Sequence, residues 1–377
     1  MDYFLVTGMS RSGTTLLIKM LDSHHDICAL SQPLPLVYRN LKKVFYKKIN
    51  YPETYYVLNN LFNEKRYSSD DLMSFLNNYE ISSESISKIL DEMEGWSGQW
   101  TEVRDPKSFL RSFNSLSLSE LYQLFLKSHS SPYGYKVCGS KEVLVEEFAP
   151  YYVSKGIKIL FIVRDPRDVI TSLNIGKGPE YAGDHRPTLF HLRNWRKSIA
   201  IANSIEDRNK VLTIRYEDLI DQRYDYLSRI TNFLNVEPFR KGHFNKGIKT
   251  SNGKLWKGNS STATFNNINA GNKQKFKDYL TDEAIKYIEY MCLPEMLMYG
   301  YSPLFRNDLK VYGPSRFQEP FDIRTTDINR SLSTDRQELY REERRKAMLT
   351  EKAPSMEEVE RFFVSNENYR TLKQVII

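Results

Sequence analysis

Cysteine is scarce in this chain: Cys28, Cys138 and Cys292 are the only three among 377 residues. They are odd in number and far apart in sequence, which argues against a disulfide framework and suits a reducing compartment. No zinc-type spacing of cysteine and histidine occurs. His24 and His25 are adjacent, a poor geometry for one tetrahedral ion, so no metal is expected. No run of eighteen apolar residues occurs, mean hydropathy is −0.54, and no membrane-spanning segment is expected. The start, MDYFLVTG, lacks the basic and apolar regions of a signal peptide, so the expectation is an intracellular, cytoplasmic protein. Arg/Gly and Lys-rich low-complexity tracts are missing too, which disfavours nucleic acid as a partner.

What the chain has in excess is positive charge. Lys and Arg number 54 against 47 Asp and Glu, a net charge of +7, with pI near 9.0. That balance favours anionic partners such as phosphates, sulfates or acidic glycans, although ordinary solubility accounts for it equally well. The composition is 40% hydrophobic and 13% aromatic, enough for a sizeable core. The length suggests two domains, or one large domain with an extension.

Short β-rich runs fall at 3–7, 133–137 (YGYKV), 157–163 (IKILFIV) and 211–215 (VLTIR), alternating with helical patterns. Nearly continuous apolar runs suit strands buried on both faces. The alternation implies an α/β fold with a parallel central sheet flanked by helices. Residues 34–130 are too long for one crossover and carry helical pieces at 34–45, 54–62, 70–79, 82–93 and 117–127. They read as a helical insertion over the C-terminal edge of the sheet, where ligands bind in open α/β folds and where it would shape an acceptor site. Residues 252–275 read as a long loop. A helix over 281–291 follows, with Thr281 as its cap. From about 306 the chain turns highly charged. The main domain is therefore placed at 1–305 and a C-terminal extension at 306–377. The extension could wrap the domain or mediate oligomers, but a solvated helical extension is the favoured reading.

The stretch TGMSRSGTTLL (7–17) has the glycine spacing of a phosphate loop, but Thr14 stands where an NTPase loop has lysine. A glycine-rich turn entering a helix offers N–H groups and a positive dipole end to an anion. Here the cation is Arg11, inside the loop, and Ser12, Gly13, Thr14 and Thr15 complete it. A second motif, FIVRDPRDVITSLN (161–174), sends Arg164 from a strand end into a helix that carries Ser172. Arg164 and Ser172 can hold a second phosphate together.

This pair of motifs resembles the two signatures of sulfotransferases that use 3′-phosphoadenosine 5′-phosphosulfate (PAPS). The likeness spans roughly residues 3–300, with a P-loop NTPase-like fold. It implies that the first loop binds the 5′-phosphosulfate and that Arg164 and Ser172 bind the 3′-phosphate. IRYEDLI (214–220) resembles a third segment, whose tyrosine, here Tyr216, lies near the adenine. The missing lysine is then expected, because two separate phosphates need two anion grips and no magnesium. The family's tryptophan after the loop threonines is replaced by Leu16. Its late basic element is not clean either: Lys257 and Lys273 are candidates for further 3′-phosphate contacts, against the reading that they are surface lysines.

Sulfuryl transfer needs an in-line acceptor, a base, and cations on the oxygens that gain charge. Arg11, Thr14 and Thr15 suit the leaving phosphate. One family branch uses a histidine after the second strand, and Glu142 falls at its place, beside Lys141. Another uses a glutamate after the first helix, where this chain has Gln32, which cannot be a base. Glu142 is therefore the first candidate base, against a plain helix-start role, with His24 and His25 ranked below it. Lys136 and Lys141 compete as the lysine facing the sulfuryl group. The acceptor is read as a hydroxyl or amine, with a glycan favoured by the basic balance and phenols or alcohols left open. A P-loop nucleotide kinase or NTPase, or a non-catalytic phosphonucleotide-binding module, are the alternatives.

Overall fold

The computed structural model describes residues 1–51, 67–94, 113–130, 134–175, 186–251, 253–258, 273–319, 336–352 and 354–376. The helix expected over 54–62 and most of the loop expected over 252–275 lie outside them.

In chain order the first half contains β1 (Asp2–Thr7), α1 (Thr14–Asp22), β2 (Ile27–Ser31), α2 (Pro35–Lys48), α3 (Ser69–Asn78), β3 (Ile81–Ser82), α4 (Ser83–Glu94), β4 (Ser115–Leu116), α5 (Leu118–Ser130), β5 (Val137–Lys141), α6 (Ala149–Ser154) and β6 (Lys158–Val163). Then come α7 (Pro166–Asn174), α8 (Thr188–Ser204), β7 (Val211–Arg215), α9 (Tyr216–Asp221), α10 (Arg223–Leu234), α11 (Phe276–Tyr279) and α12 (Asp282–Met298). The C-terminal segment adds α13 (Arg336–Met348), α14 (Met356–Phe363) and α15 (Asn366–Ile376). Among the described residues, five strands form a parallel sheet in the order β2-β5-β1-β6-β7. β3 and β4 pair separately as a small antiparallel ladder. The expected α/β fold with a parallel central sheet flanked by helices holds.

Alternation along the strands builds two cores. Leu5, Leu30, Ile159 and Phe161 face one way, onto Val37 and Leu41 of α2, Leu121 and Phe125 of α5, and Tyr151 and Tyr152 of α6. Phe4, Val6, Leu160 and Ile162 face the other, onto Leu17 and Leu21 of α1, Leu219 of α9, and Ile230 of α10. Each such side chain fully buried is worth roughly 1.5–3 kcal/mol. The described part of the 34–130 segment, expected over the C-terminal edge of the sheet, thus also covers one of its faces.

Two strands differ from expectation. The run YGYKV was expected as the second strand, but the ladder runs four residues later, over VCGSK. Gly134 takes a left-handed φ of +69°, which belongs to a turn rather than a strand. Small residues hide the real strand because it is squeezed: a Cβ on Gly139 would lie 2.3 Å from the Phe4 carbonyl oxygen. The Tyr122 hydroxyl locks the same spot, donating to the Phe4 carbonyl (2.7 Å) and accepting from the Ser140 N–H (3.1 Å). β2, over ICALS, was not foreseen. It sets Cys28 in register with Cys138, so cysteines far apart in sequence are neighbours in space. Both are free thiols.

A buried charge cluster ties α2 to α8. Lys42 of α2 pairs with Glu147 and with the Tyr67 hydroxyl, and Lys197 of α8 reaches the other Glu147 oxygen at 3.1 Å. Burial pushes Lys42 down to about 8. Burial alone would raise Glu147, but Lys197 and Lys42 hold its carboxyl below the usual range. Glu147→Gln removes the one negative charge that both ammonium groups share. It is expected to cost about 3–5 kcal/mol of stability, read from the urea midpoint.

The C-terminal segment is not the solvated extension that its charge suggested. Met348, Leu349, Val359, Phe363 and Leu372 form a core with Met298 of α12 packed against it. Many of its charges are spent on the body of the protein: Glu342 pairs with Arg193 and Arg196 of α8, and Arg345 with Glu295 of α12. Thr281 caps α12 as expected, accepting from the Ala284 N–H at 3.2 Å, and the helix runs through Pro294 to Met298, past the expected end at 291.

Candidate active site

β1 ends at Thr7 between the C-terminal ends of β5 and β6, the point where the strand order reverses. Such a reversal opens a crevice. The loop into α1 turns there through Gly8 at φ +142° and Gly13 at φ +99°. Glycine is required at Gly13 on two counts. The φ is left-handed, and a Cβ would lie 2.3 Å from the ring of Tyr216. Arg11 itself takes φ +68°. Ser12 is buried, and its hydroxyl has no hydrogen-bond partner among the described residues. α1 presents its free first-turn N–H groups behind Gly13.

The second motif folds onto this loop. Arg11 Nε donates to Ser172 Oγ at 3.1 Å, and Arg164 donates to the Arg11 carbonyl at 3.2 Å. Arg164 also lies 3.6 Å from Asp168 and stacks on Tyr216 at 4.5 Å from the ring centre. Tyr216 is therefore held between Arg164 and Gly13 as a spacer. Its neighbour Glu217 accepts from the Asp165 N–H (3.0 Å) and the Tyr301 hydroxyl (2.7 Å). Asp165 starts α7, accepting from the Arg167 N–H at 2.9 Å. The three sequence motifs are one structural unit.

One residue that the sequence reading missed completes it. Asp168 accepts from the N–H groups of Gln274 (2.8 Å) and Phe276 (3.1 Å). That grip turns Lys275 into the site, where burial and the nearby Arg164 and Arg11 push its ammonium down to about 8, against the pull of Asp168. Lys273, the expected residue, pairs with Asp221 instead, and Lys257 is exposed. No local signal separates two lysines two residues apart; the Asp168 contact does.

β5 brings Lys141 and Glu142 to the same edge of the sheet as the loop, in register with the end of β1. Lys141 donates to the side-chain oxygen of Gln32, whose N–H returns a bond to the Lys141 carbonyl at 2.7 Å. Glu142 is 1% exposed and accepts from the Leu34 N–H at 2.9 Å, at the start of α2. Burial raises its carboxyl to about 8, while the Leu34 N–H and Lys141 pull the other way. Lys136 precedes β5, pairs with Asp26 at 3.0 Å, and lies at the opposite edge. It does not share the site, because five strand residues span roughly 17 Å. His24 and His25 follow the far end of α1 and also lie away from the loop. His24 binds the Glu237 carbonyl at 2.8 Å, and His25 lies 3.5 Å from Asp26.

The fold is an α/β one in which the glycine-bracketed loop after β1 meets Arg164 and Ser172 at the C-terminal edge of a parallel sheet. The chain belongs to the sulfotransferase domain family, whose profile matches residues 1–300. Among solved structures, it is similar to the sulfotransferase domain from the curacin biosynthetic pathway at 19% identity, with 74% of this chain and 92% of that one covered and a TM-score of 0.42. For the sulfotransferase domain of the Synechococcus PCC 7002 olefin synthase the values are 16%, 74%, 89% and 0.40. For mouse sulfotransferase SULT7A1 complexed with PAP they are 14%, 83%, 89% and 0.38. No curated protein matches the chain. Among the described residues, no helix is long and apolar enough to cross a membrane.

Proposed function

We propose that this chain moves a sulfuryl group from PAPS to a hydroxyl or amine acceptor. The observation that carries the reading is the convergence of Arg11, Arg164, Ser172 and Lys275 on the turn before α1. Three cations and two kinds of hydroxyl suit a ligand with two separate phosphates better than one with a magnesium-bridged triphosphate. The Ser12 hydroxyl inside the loop, without a partner among the described residues, fits an anion that would complete it.

When bound, PAPS supplies the sulfuryl group and departs as adenosine 3′,5′-bisphosphate (PAP). Arg11, Thr14 and Thr15 hold the loop-side phosphate, and Arg164, Ser172 and Lys275 the other. Lys141, steadied by Gln32, faces the transferred group. Glu142, the acid that shares its end of β5, takes the acceptor's proton. A glycan acceptor suits the basic charge balance.

The test is calorimetric titration with PAP without magnesium, against Mg-ATP. PAP is expected to bind, with affinity about tenfold weaker in Lys275→Ala. Because only the charged ammonium grips phosphate, affinity should fall as pH rises through about 8, and that fall should vanish in Lys275→Ala. Binding of Mg-ATP alone would reject the reading in favour of a nucleotide kinase.

A further inference from the structure

The segment beyond residue 300 lies outside the family match, yet its described part grips one helix along its whole length. That helix, α8, has 17 residues and so spans roughly 25 Å. At its first turn Glu319 accepts from the Thr188 N–H (2.7 Å) and hydroxyl (2.8 Å). At its middle Glu342 takes Arg196 with both oxygens (2.6 and 2.9 Å) and Arg193 Nε at 2.7 Å, and Glu338 also pairs with Arg193. At its last turn Asn368 accepts from Asn203 at 2.9 Å.

Between the two arginines stands Trp195. Its ring N–H donates to the Arg164 carbonyl at 2.8 Å, and the residue is 1% exposed. The peptide it holds is the one from which the Arg164 guanidinium departs toward the loop. Arg196 further donates to the Met291 carbonyl of α12, and the same helix, through Glu289, pairs with Arg167. The buried Arg196 cannot lose its carboxylate without a large desolvation cost.

We propose that the C-terminal segment is a splint of the donor site, with Glu342 as a positioning residue that acts through Arg193, Arg196 and Trp195 on the Arg164 peptide. The effect on ligand binding rests on the reading that Arg164 meets a donor phosphate; the mechanical coupling does not.

The test uses the full chain with Glu342→Gln, Glu342→Asp and Trp195→Phe, each checked for folding by circular dichroism well below its melting midpoint. PAP affinity is measured by calorimetry, and hydrogen exchange of the α7 amides by mass spectrometry without nucleotide. Glu342→Gln is expected to weaken PAP binding about three- to thirtyfold and to speed α7 exchange, with Glu342→Asp recovering most of both. Trp195→Phe, which removes the N–H and shrinks a buried ring, should act in the same direction, and the Glu342→Gln/Trp195→Phe pair should cost less than the sum. Parent-like affinity and unchanged α7 exchange in a folded Glu342→Gln chain would overturn the splint. If Glu342→Gln does not fold, the same two readouts on Trp195→Phe decide it. If the parent chain itself fails to bind PAP, the donor reading falls, and the exchange data alone decide the coupling.

Discussion

A Glu142→Gln variant is expected to lose about a hundred- to ten-thousandfold in turnover while binding PAP as tightly as the parent chain. The substitution separates two roles. Glutamine still offers an oxygen to the Leu34 N–H, so the start of α2 keeps its anchor. What disappears is proton affinity. Burial raises the Glu142 carboxyl to about 8 from an ordinary value of 4.5, so a proton taken from an acceptor is held firmly. Turnover in the parent should rise as pH climbs toward and through about 8, as the carboxylate forms. Stability should move the other way. The folded state keeps this proton at pH values where the unfolded state has already lost it, so the contribution of Glu142 is fully present below the unfolded pKa and is lost as pH rises through about 8. Urea midpoints at pH 6 and pH 8.5 should show that slope in the parent and a flatter one in Glu142→Gln. Unchanged turnover in the variant would leave Glu142 as a helix-start acid and nothing more.

The second large effect belongs to Arg164. Arg164→Ala is expected to weaken PAP binding about a hundredfold, the worth of one or two charge-assisted hydrogen bonds at roughly 1.5–3 kcal/mol each. The loss goes beyond a direct contact. The Arg11 carbonyl loses a donor, Asp168 loses a neighbouring cation, and the Tyr216 ring loses the guanidinium stacked on it. Arg164→Lys should recover little, because an ammonium cannot reproduce the planar fork that reaches the Arg11 carbonyl and Asp168 while stacking on a ring. Calorimetry on both variants checks this. Parent-like affinity in Arg164→Ala would remove the second anion grip from the account.

The legible features are local ones. A glycine pair with Arg11 between announces a loop because left-handed backbone and close approach admit little else. The apolar run ILFIV announces a central strand because a strand buried on both faces carries apolar side chains without alternation. Arg164, Ser172 and Tyr216 were readable because each sits at a set distance from such a feature, at a strand end or on the helix after it. The strand VCGSK was not readable, since its glycine and serine answer to Phe4 and Tyr122 on distant elements.

By itself, then, the sequence determined the α/β class and a glycine-bracketed loop without a lysine, and it named Arg164 and Ser172, which the fold brings to that loop. Tertiary structure alone decided which lysines lie beside the loop. The four-residue shift in β5 leaves Lys141 beside the loop and sends Lys136 to the other edge, because strand register converts a count of residues into distance. Asp168 chooses Lys275 over Lys273 through two backbone N–H groups more than a hundred residues away. The charged C-terminal segment reads as solvated until Arg193, Arg196 and Glu295 come within reach. A charge has no sequence signature that tells water from a buried partner; only the folded neighbourhood supplies one.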